Sequence, residues 1–336
     1  MKITIKNRSD FAEKERYGFE RLIRRHCLST LYSELASKYQ REYHNNIDFI
    51  DISFGVYIDS VLMAAFCGTL HSSSNDAWHL TFFGRPATLI QDPDLDFNII
   101  KKNIRKHLEK PIQDYDVGNF LFIDHLYPSH TLSTASTFFL ERGGCATLHY
   151  TRLIELSRAE EELKRNIRKS YKSLINWGHK HLRVEIHDQA STSAPEKMEE
   201  FRELHIAAAG RVTRPKATWD VLTEMITCGE AFLVLGYYEE KLVTGAFFSQ
   251  NDKVACYGVG ASNREMFDKP LSHCIIWTGI LKAKENGCSF FDVGEQFFPC
   301  QMETVTKKEA DISKFKSGFG GAPAATITIQ KGDVPL

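Results

Sequence analysis

Two stretches of the chain carry the same order of apolar and polar positions. Gly55-Val56-Tyr57-Ile58-Asp59-Ser60-Val61-Leu62-Met63-Ala64-Ala65-Phe66 aligns with Gly236-Tyr237-Tyr238-Glu239-Glu240-Lys241-Leu242-Val243-Thr244-Gly245-Ala246-Phe247 at an offset of 181 residues, sharing Gly, Tyr, Ala and Phe. Each is a pair of β-rich apolar runs joined by a short polar turn, which is a hairpin signature. Each is followed by a further strand (78–84; 253–260), a helix (95–108; 271–286) and another strand (120–123; 289–293). Pro270 near the first turn and Gly287 after the last delimit the second helix. A period this long lies far above the ~20–50 residues of stacked arrays. It implies one α/β unit used twice, the alternative being that any two buried hairpins look alike. The predicted domains are 1–156 and 157–336.

Between the halves lies a helical pattern. Ser157 with Glu160 reads as a capping box, and Leu163, Ile167, Tyr171 and Leu174 recur as a buried stripe. On one continuous helix, Lys164, Arg168 and Lys172 form a column and Arg165 and Lys169 a second. From Leu163 to Arg183 there are seven Lys/Arg, His179 and His181, and no acid. A solvated face normally mixes Glu with Lys, because like charges four residues apart repel; this segment therefore reads as a site for an anionic group.

Composition changes that picture little. The 336 residues hold 42 Lys+Arg against 43 Asp+Glu, with 43% hydrophobic and 25% charged residues, which excludes disordered, collagen-like and membrane-spanning chains. Setting the seven cations aside leaves 35 basic against 43 acidic residues, a body of net −8 that is no general nucleic-acid binder, DNA included. No run reaches the ~18 apolar residues of a spanning helix, and the charged start has no apolar block behind it, so no secretory leader is expected. Eight cysteines, none in a C-x-x-C pair, suit reduced thiols in the cytoplasm and predict neither a zinc site nor a disulfide framework.

Hairpin, strand, helix and strand, with glycines closing the third strand, is the order of the GNAT acyltransferase core. The predicted fold class is α/β (α+β): two tandem GNAT-like domains, each a mixed central sheet flanked by helices. A conventional coenzyme A pyrophosphate loop is not predicted, since neither Gly258-Val259-Gly260-Ala261-Ser262-Asn263-Arg264 nor Gly84-Arg85-Pro86-Ala87 has the Arg/Gln-x-x-Gly-x-Gly/Ala pattern, and the N-terminal copy has Pro86 where N–H donors are needed. Three further features resemble the Fem-type aminoacyltransferases: the doubled plan, Arg165-Asn166-Ile167-Arg168-Lys169-Ser170-Tyr171-Lys172-Ser173, and Phe291-Asp292-Val293-Gly294 followed by Ile312-Ser313-Lys314-Phe315-Lys316-Ser317-Gly318-Phe319-Gly320-Gly321. The resemblance covers most of the chain after about Phe49. It implies transfer of an aminoacyl group from charged tRNA, or of an acyl group from acyl-CoA, to an amine, without metal or bound cofactor. It also implies that Phe315 and Lys316 lie at the reacting centre. No long helical-hairpin arm is present.

The residues support chemistry of that kind. Aminolysis puts negative charge on a carbonyl oxygen, which a fixed cation stabilises; Lys316 can do this or bind a substrate anion, and Gly318, Gly320 and Gly321 would let backbone approach a ligand. The alternative is an ordinary final strand, with Lys314 and Lys316 outward and Phe315 inward. Asp292, read as a strand end, and Glu295 after the Gly294 turn are candidates for a base or an ammonium-positioning group, or a simple turn cap. Tyr257 is a proton-donor candidate. Arg168, Lys169 and Lys172, with Arg211, Arg214 and Lys216 in the loop after an alanine-rich helix, are candidates for binding phosphates of donor or acceptor. A different class also fits: an inactive GNAT-fold module docking RNA or an acidic partner through the basic helix.

Overall fold

The computed structural model describes residues 1–72, 77–126, 131–301 and 305–334, and of Cys300 the backbone alone. The chain forms two units, residues 1–149 with 325–336, and residues 150–324. The division differs from the expected cut after residue 156. Leu153, Ile154 and Glu155 pair with a strand of the second unit, whereas residues 326–331 pair with one of the first.

The first unit contains strands β1 (Ile3–Asn7), β2 (Ile50–Asp51), β3 (Phe54–Ile58), β4 (Val61–Cys67), β5 (Thr69–Ser72), β6 (Trp78–Thr81), β7 (Thr88–Gln91) and β8 (Asn119–His125). Its helices are α1 (Glu13–His26), α2 (Glu34–Tyr43), α3 (Lys101–Asp114) and α4 (Thr134–Glu141). β1, β3, β4 and β7 make one antiparallel sheet; β2, β5 and β6 continue to β8, with β6 and β8 parallel, and β8 then takes the final strand (Ala322–Lys331). The strand expected over 78–84 stops at Thr81, because Phe83 and Gly84 both take positive φ and turn the chain. The helix expected over 95–108 starts later and runs through Pro111 to Asp114, since Asp96 caps a 3-10 turn at Phe97–Ile99 first.

The second unit contains β9 (Cys145–Glu155, paired here through 151–155), β10 (Arg183–His187), β11 (Ala231–Tyr238), β12 (Lys241–Gln250), β13 (Val254–Ser262), β14 (Phe290–Glu295) and the start of β15 (Ala322–Lys331). Its helices are α5 (Glu160–Asn166), α6 (Lys169–His181), α7 (Ala194–Ala209), α8 (Lys216–Thr227), α9 (Leu271–Glu285) and α10 (Lys307–Lys316). The strand order is β10-β11-β12-β13-β14-β9, antiparallel except for β13 with β14. Side chains alternate across β11: Phe232 and Val234 join the core formed with α6 and α9, whereas Leu235 faces Gly245 and Phe201 of α7 on the other side. α6 and α9 cross closely at Gly178, where a Cβ would collide with Cys274.

The expected single basic helix is two. Ile167 and Arg168 are extended (ψ 143° and 131°), so α5 ends at Asn166 and α6 begins at Lys169. Ser157 does not cap α5; its hydroxyl donates to Glu155, and Ala159 holds the N-cap position. Leu163, Ile167 and Tyr171 are buried as the stripe requires, whereas Leu174 is only partly buried and Ile175 takes the core position beside it; the break also removes the two cation columns. Among the described residues no helix is long and apolar enough to cross a membrane.

The hairpins β3–β4 and β11–β12 are the same object. Each turns on two non-glycine residues with positive φ (Asp59 and Ser60; Glu239 and Glu240), the type I′ geometry that matches strand twist. Each also carries a bulge two pairs from the turn, between Val56 and Tyr57 and between Gly236 and Tyr237. These landmarks set the offset at 180 residues rather than 181. Tyr57 therefore corresponds to Tyr237 and Leu62 to Leu242, while the four identities of the sequence alignment fall out of register. Replacing Glu239-Glu240 by Asn-Gly is expected to stabilise the second unit by about 1 kcal/mol by removing left-handed strain from side chains that disfavour it. A higher denaturant midpoint at unchanged m-value checks this.

Candidate active site

β13 and β14 run side by side for only three residue pairs, Val254/Phe290, Ala255/Phe291 and Cys256/Asp292. Beyond that, β13 stays with β12 as far as Ser262, and β14 turns toward β9 through a bulge between Asp292 and Gly294. The two strands part at Asp292, and Tyr257 is the first residue of β13 past the last pair. Asp292 thus lies inside its strand and not at its end. Its Oδ1 accepts from the Thr151 hydroxyl and from the Gly294 N–H at 2.7 Å. Burial pushes the Asp292 carboxyl above the usual carboxylate range, against the opposing pull of these two donors and of Lys316.

Lys316 reaches the same place from α10. The motif forms a helix end and not the alternating strand that was the alternative reading: Thr306 and Glu309 cap α10 reciprocally, and Ser317–Phe319 tighten into a 3-10 turn before β15. The half-buried Lys316 ammonium sits 5.9 Å from the Tyr257 ring centroid. It is so close to Gly294 (φ +108°) that a Cβ there would strike Nζ. Among the described residues it makes no hydrogen bond or ion pair; burial holds it below the usual lysine range, while the Asp292 and Glu295 charges pull it back up. Burial also pushes the Tyr257 phenol up to about 12, so it keeps its proton at neutral pH. Glu295 is exposed at the end of β14.

Phe315 and Arg168 hold this end of α10 in place. The Phe315 ring packs among Tyr171, His273 and Phe319 at centroid distances of 5.9, 5.3 and 5.4 Å, and its carbonyl accepts from the Tyr171 hydroxyl at 3.1 Å. Arg168 donates to the Lys314 carbonyl at 2.8 Å and the Ser317 hydroxyl at 3.3 Å, and stacks on Tyr171. A guanidinium on the last carbonyls of a helix satisfies groups that lack an intrahelical partner. The motif glycines approach the protein and not an open space: a Cβ on Gly318 would collide with the Tyr171 ring, and one on Gly321 with the Leu153 carbonyl.

Lys169 is exposed on α6, and Lys172 donates to the Arg165 carbonyl at 3.5 Å. Arg211 is exposed after α7, Arg214 lies 5.2 Å over the Trp219 ring, and Lys216 pairs with Asp220 at 2.7 Å. The structure therefore brings Lys316, Asp292, Tyr257, Phe315 and Arg168 together, with Glu295 at the rim, and leaves the 211–216 segment engaged with its own helix pair. Sequence reading missed Thr151 and a polar latch beside it. Arg152 donates to the Gly321 carbonyl at 2.7 Å and to Gln296 at 3.0 Å; Gln296 donates to the buried Ser313 hydroxyl at 2.9 Å. No spacing signal marks these residues, which lie in three separate segments. An open groove of 610 Å³ runs along α10, lined by Lys307, Lys308, Asp311, Ile312 and Phe315.

No protein-family model matches the sequence, and no curated protein matches it. Solved structures do. FemX superposes with a TM-score of 0.71 at 12% identity, over 97% of both chains. The C-terminal domain of a putative lysylphosphatidylglycerol synthetase from Agrobacterium fabrum gives 0.59 at 10% identity, over 95% of this chain and 92% of that one. A tandem GNAT protein from the clavulanic acid biosynthesis pathway gives 0.53 at 9% identity, over 99% and 100%. The fold is the Fem-like, tandem GNAT acyltransferase fold. In this chain the parting of β13 from β14 is where Asp292, Tyr257 and Lys316 meet.

A carboxyl whose pKa is higher in the folded than in the unfolded chain carries no penalty below the unfolded pKa, and destabilises the fold as pH rises toward the folded value. Asp292→Asn is therefore expected to raise the melting temperature at neutral pH, with the gain fading as pH falls below the ordinary carboxylate range, ~3.9. Thermal melts of both proteins across pH check the sign.

Proposed function

We propose that this protein is an N-acyltransferase. It moves an acyl or aminoacyl group, from aminoacyl-tRNA or acyl-CoA, to an amine of a cell-envelope, peptide or other small-molecule acceptor by direct attack, with no metal or cofactor of its own. The observation that carries this reading is the meeting of Lys316, Asp292 and Tyr257 where two parallel strands separate. The fold it shares with FemX and with a tandem GNAT protein supports it.

Each group has work to do in that reaction. An amine arrives as an ammonium and must lose a proton before it attacks; Asp292, with its carboxyl pushed upward and Oδ2 clear of the Thr151 and Gly294 bonds, takes it. Charge then develops on the carbonyl oxygen, and the Lys316 ammonium, already stripped of part of its water, stabilises it. Tyr257 retains its proton at neutral pH and supplies it to the departing oxygen or sulfur. Glu295 at the rim attracts the cationic acceptor. Lys169, Lys172, Arg211, Arg214 and Lys216 provide cations for the phosphates of donor or acceptor, and Arg168 and Phe315 set the position of Lys316.

The test is a screen of charged tRNA and acyl-CoA donors with mass-spectrometric detection of acylated amines. Once turnover is found, Lys316→Met is expected to lower kcat by about 10²–10³-fold, the loss typical of an oxyanion-stabilising group, with KM little changed. Unchanged turnover removes Lys316 from the reaction. The acid-free run from Leu163 to Arg183, with most of its cations exposed, favours a second reading, an RNA-docking module. RNA binding with a steep salt slope that survives Lys316→Met, with no transfer from any donor, selects that reading instead.

A further inference from the structure

We infer that Lys316 is itself an acyl acceptor: when a donor occupies the site without an amine substrate, its Nζ takes the acyl group and the protein is modified there. The physiological form of this step rests on the acyltransferase reading, whereas the intrinsic reactivity of the amine does not.

The surroundings of Nζ set it apart from other lysines. Lys6, Lys197, Lys216 and Lys282 are held as ammonium by carboxylates at 2.6, 2.7, 2.7 and 3.1 Å. Lys284 donates to the Leu156 and Arg158 carbonyls at 2.7 and 2.8 Å. Lys316 has neither kind of partner among the described residues, though it is half-buried. Its neighbours are the Cα of Gly294 and the face of Tyr257. The charged or titratable groups facing it are Asp292 and Glu295 on β14 and Tyr257 on β13. Arg168 engages Ser317, one residue on, from the segment between α5 and α6, and His273 of α9 lies behind Phe315. A desolvated lysine with no direct counter-ion carries a larger neutral fraction, and the neutral amine is the nucleophile.

The step balances without a further reagent. The Nζ lone pair forms a C–N bond to the donor carbonyl carbon, and the C–O bond of an ester or C–S bond of a thioester breaks. The leaving oxygen or sulfur takes the proton that Nζ releases, relayed by water. The product is a stable amide that removes the cation from the site, so donor without acceptor ends in a silenced protein.

The probe is 4-nitrophenyl acetate, applied to the full chain across neutral to alkaline pH, with acetylation of each lysine quantified by peptide mass spectrometry. Lys316 is expected to label several-fold faster at neutral pH than Lys307, Lys308 and Lys314 of the same helix, and with a lower pH midpoint. Asp292→Asn is expected to speed it further, because the carboxylate that favours the ammonium is gone. Labelling no faster than those three lysines, or slowed by Asp292→Asn in a variant with an unaltered melting transition, overturns the inference. Acyl-CoA and aminoacyl-tRNA are run as parallel donors. Labelling by the ester but by neither donor leaves the reactive lysine standing and counts against the acyltransferase reading of its site.

Discussion

Two parallel strands that stay paired for three residues and then separate impose the central constraint on this protein. Past Cys256, β13 keeps its neighbour on one side and loses β14 on the other, while β14 leaves through a bulge. Buried backbone polar groups need partners, so a gap of this kind survives only where side chains, solvent or a ligand can serve them. Asp292 and Tyr257 stand at its mouth because strand register puts them there, and every property assigned to the site follows from their being half-dry at that point.

Lys316 has a different origin. It comes from a helix end, and its placement depends on contacts far from it in sequence. Arg168 satisfies carbonyls at the close of α10, Tyr171 bonds to Phe315, and Arg152 reaches through Gln296 to Ser313. These groups fix one rotatable cation over an aromatic face, which is the preorganisation that makes a charge effective in a water-poor setting. The glycines of the same stretch serve that packing: Gly318 makes room for a ring and Gly294 for the ammonium.

What could be read from the chain was whatever left a local pattern. The hairpins, α9 and the buried stripe of Leu163, Ile167 and Tyr171 are periodic, and they are where the pattern put them. The one-residue error in the repeat arose because four shared letters outweighed the turn, although the paired positive-φ residues, invisible in a plain alignment, define the register. The split between α5 and α6 was hidden because Ile167 keeps its buried face across the break. Phe315, Lys316, Asp292 and Tyr257 were legible through a motif and a strand pattern. Thr151 and Arg152 were not, since a β-strand threonine 141 residues from its partner carries no sign of the bond it makes.

The last strand has a consequence for how the molecule is made. β15 pairs with β8 from Thr326↔His125 to Lys331↔Phe120, and its Ile329 is buried among first-unit residues. Roughly 200 residues separate the partners, so at ~5–20 residues per second a ribosome needs on the order of 10–40 s to deliver the closing strand. The unit that emerges first is thus completed after the other, and throughout that interval β8 offers an open edge to any strand nearby. Nascent chains stalled before residue 322 should be the form of this protein most in need of a chaperone.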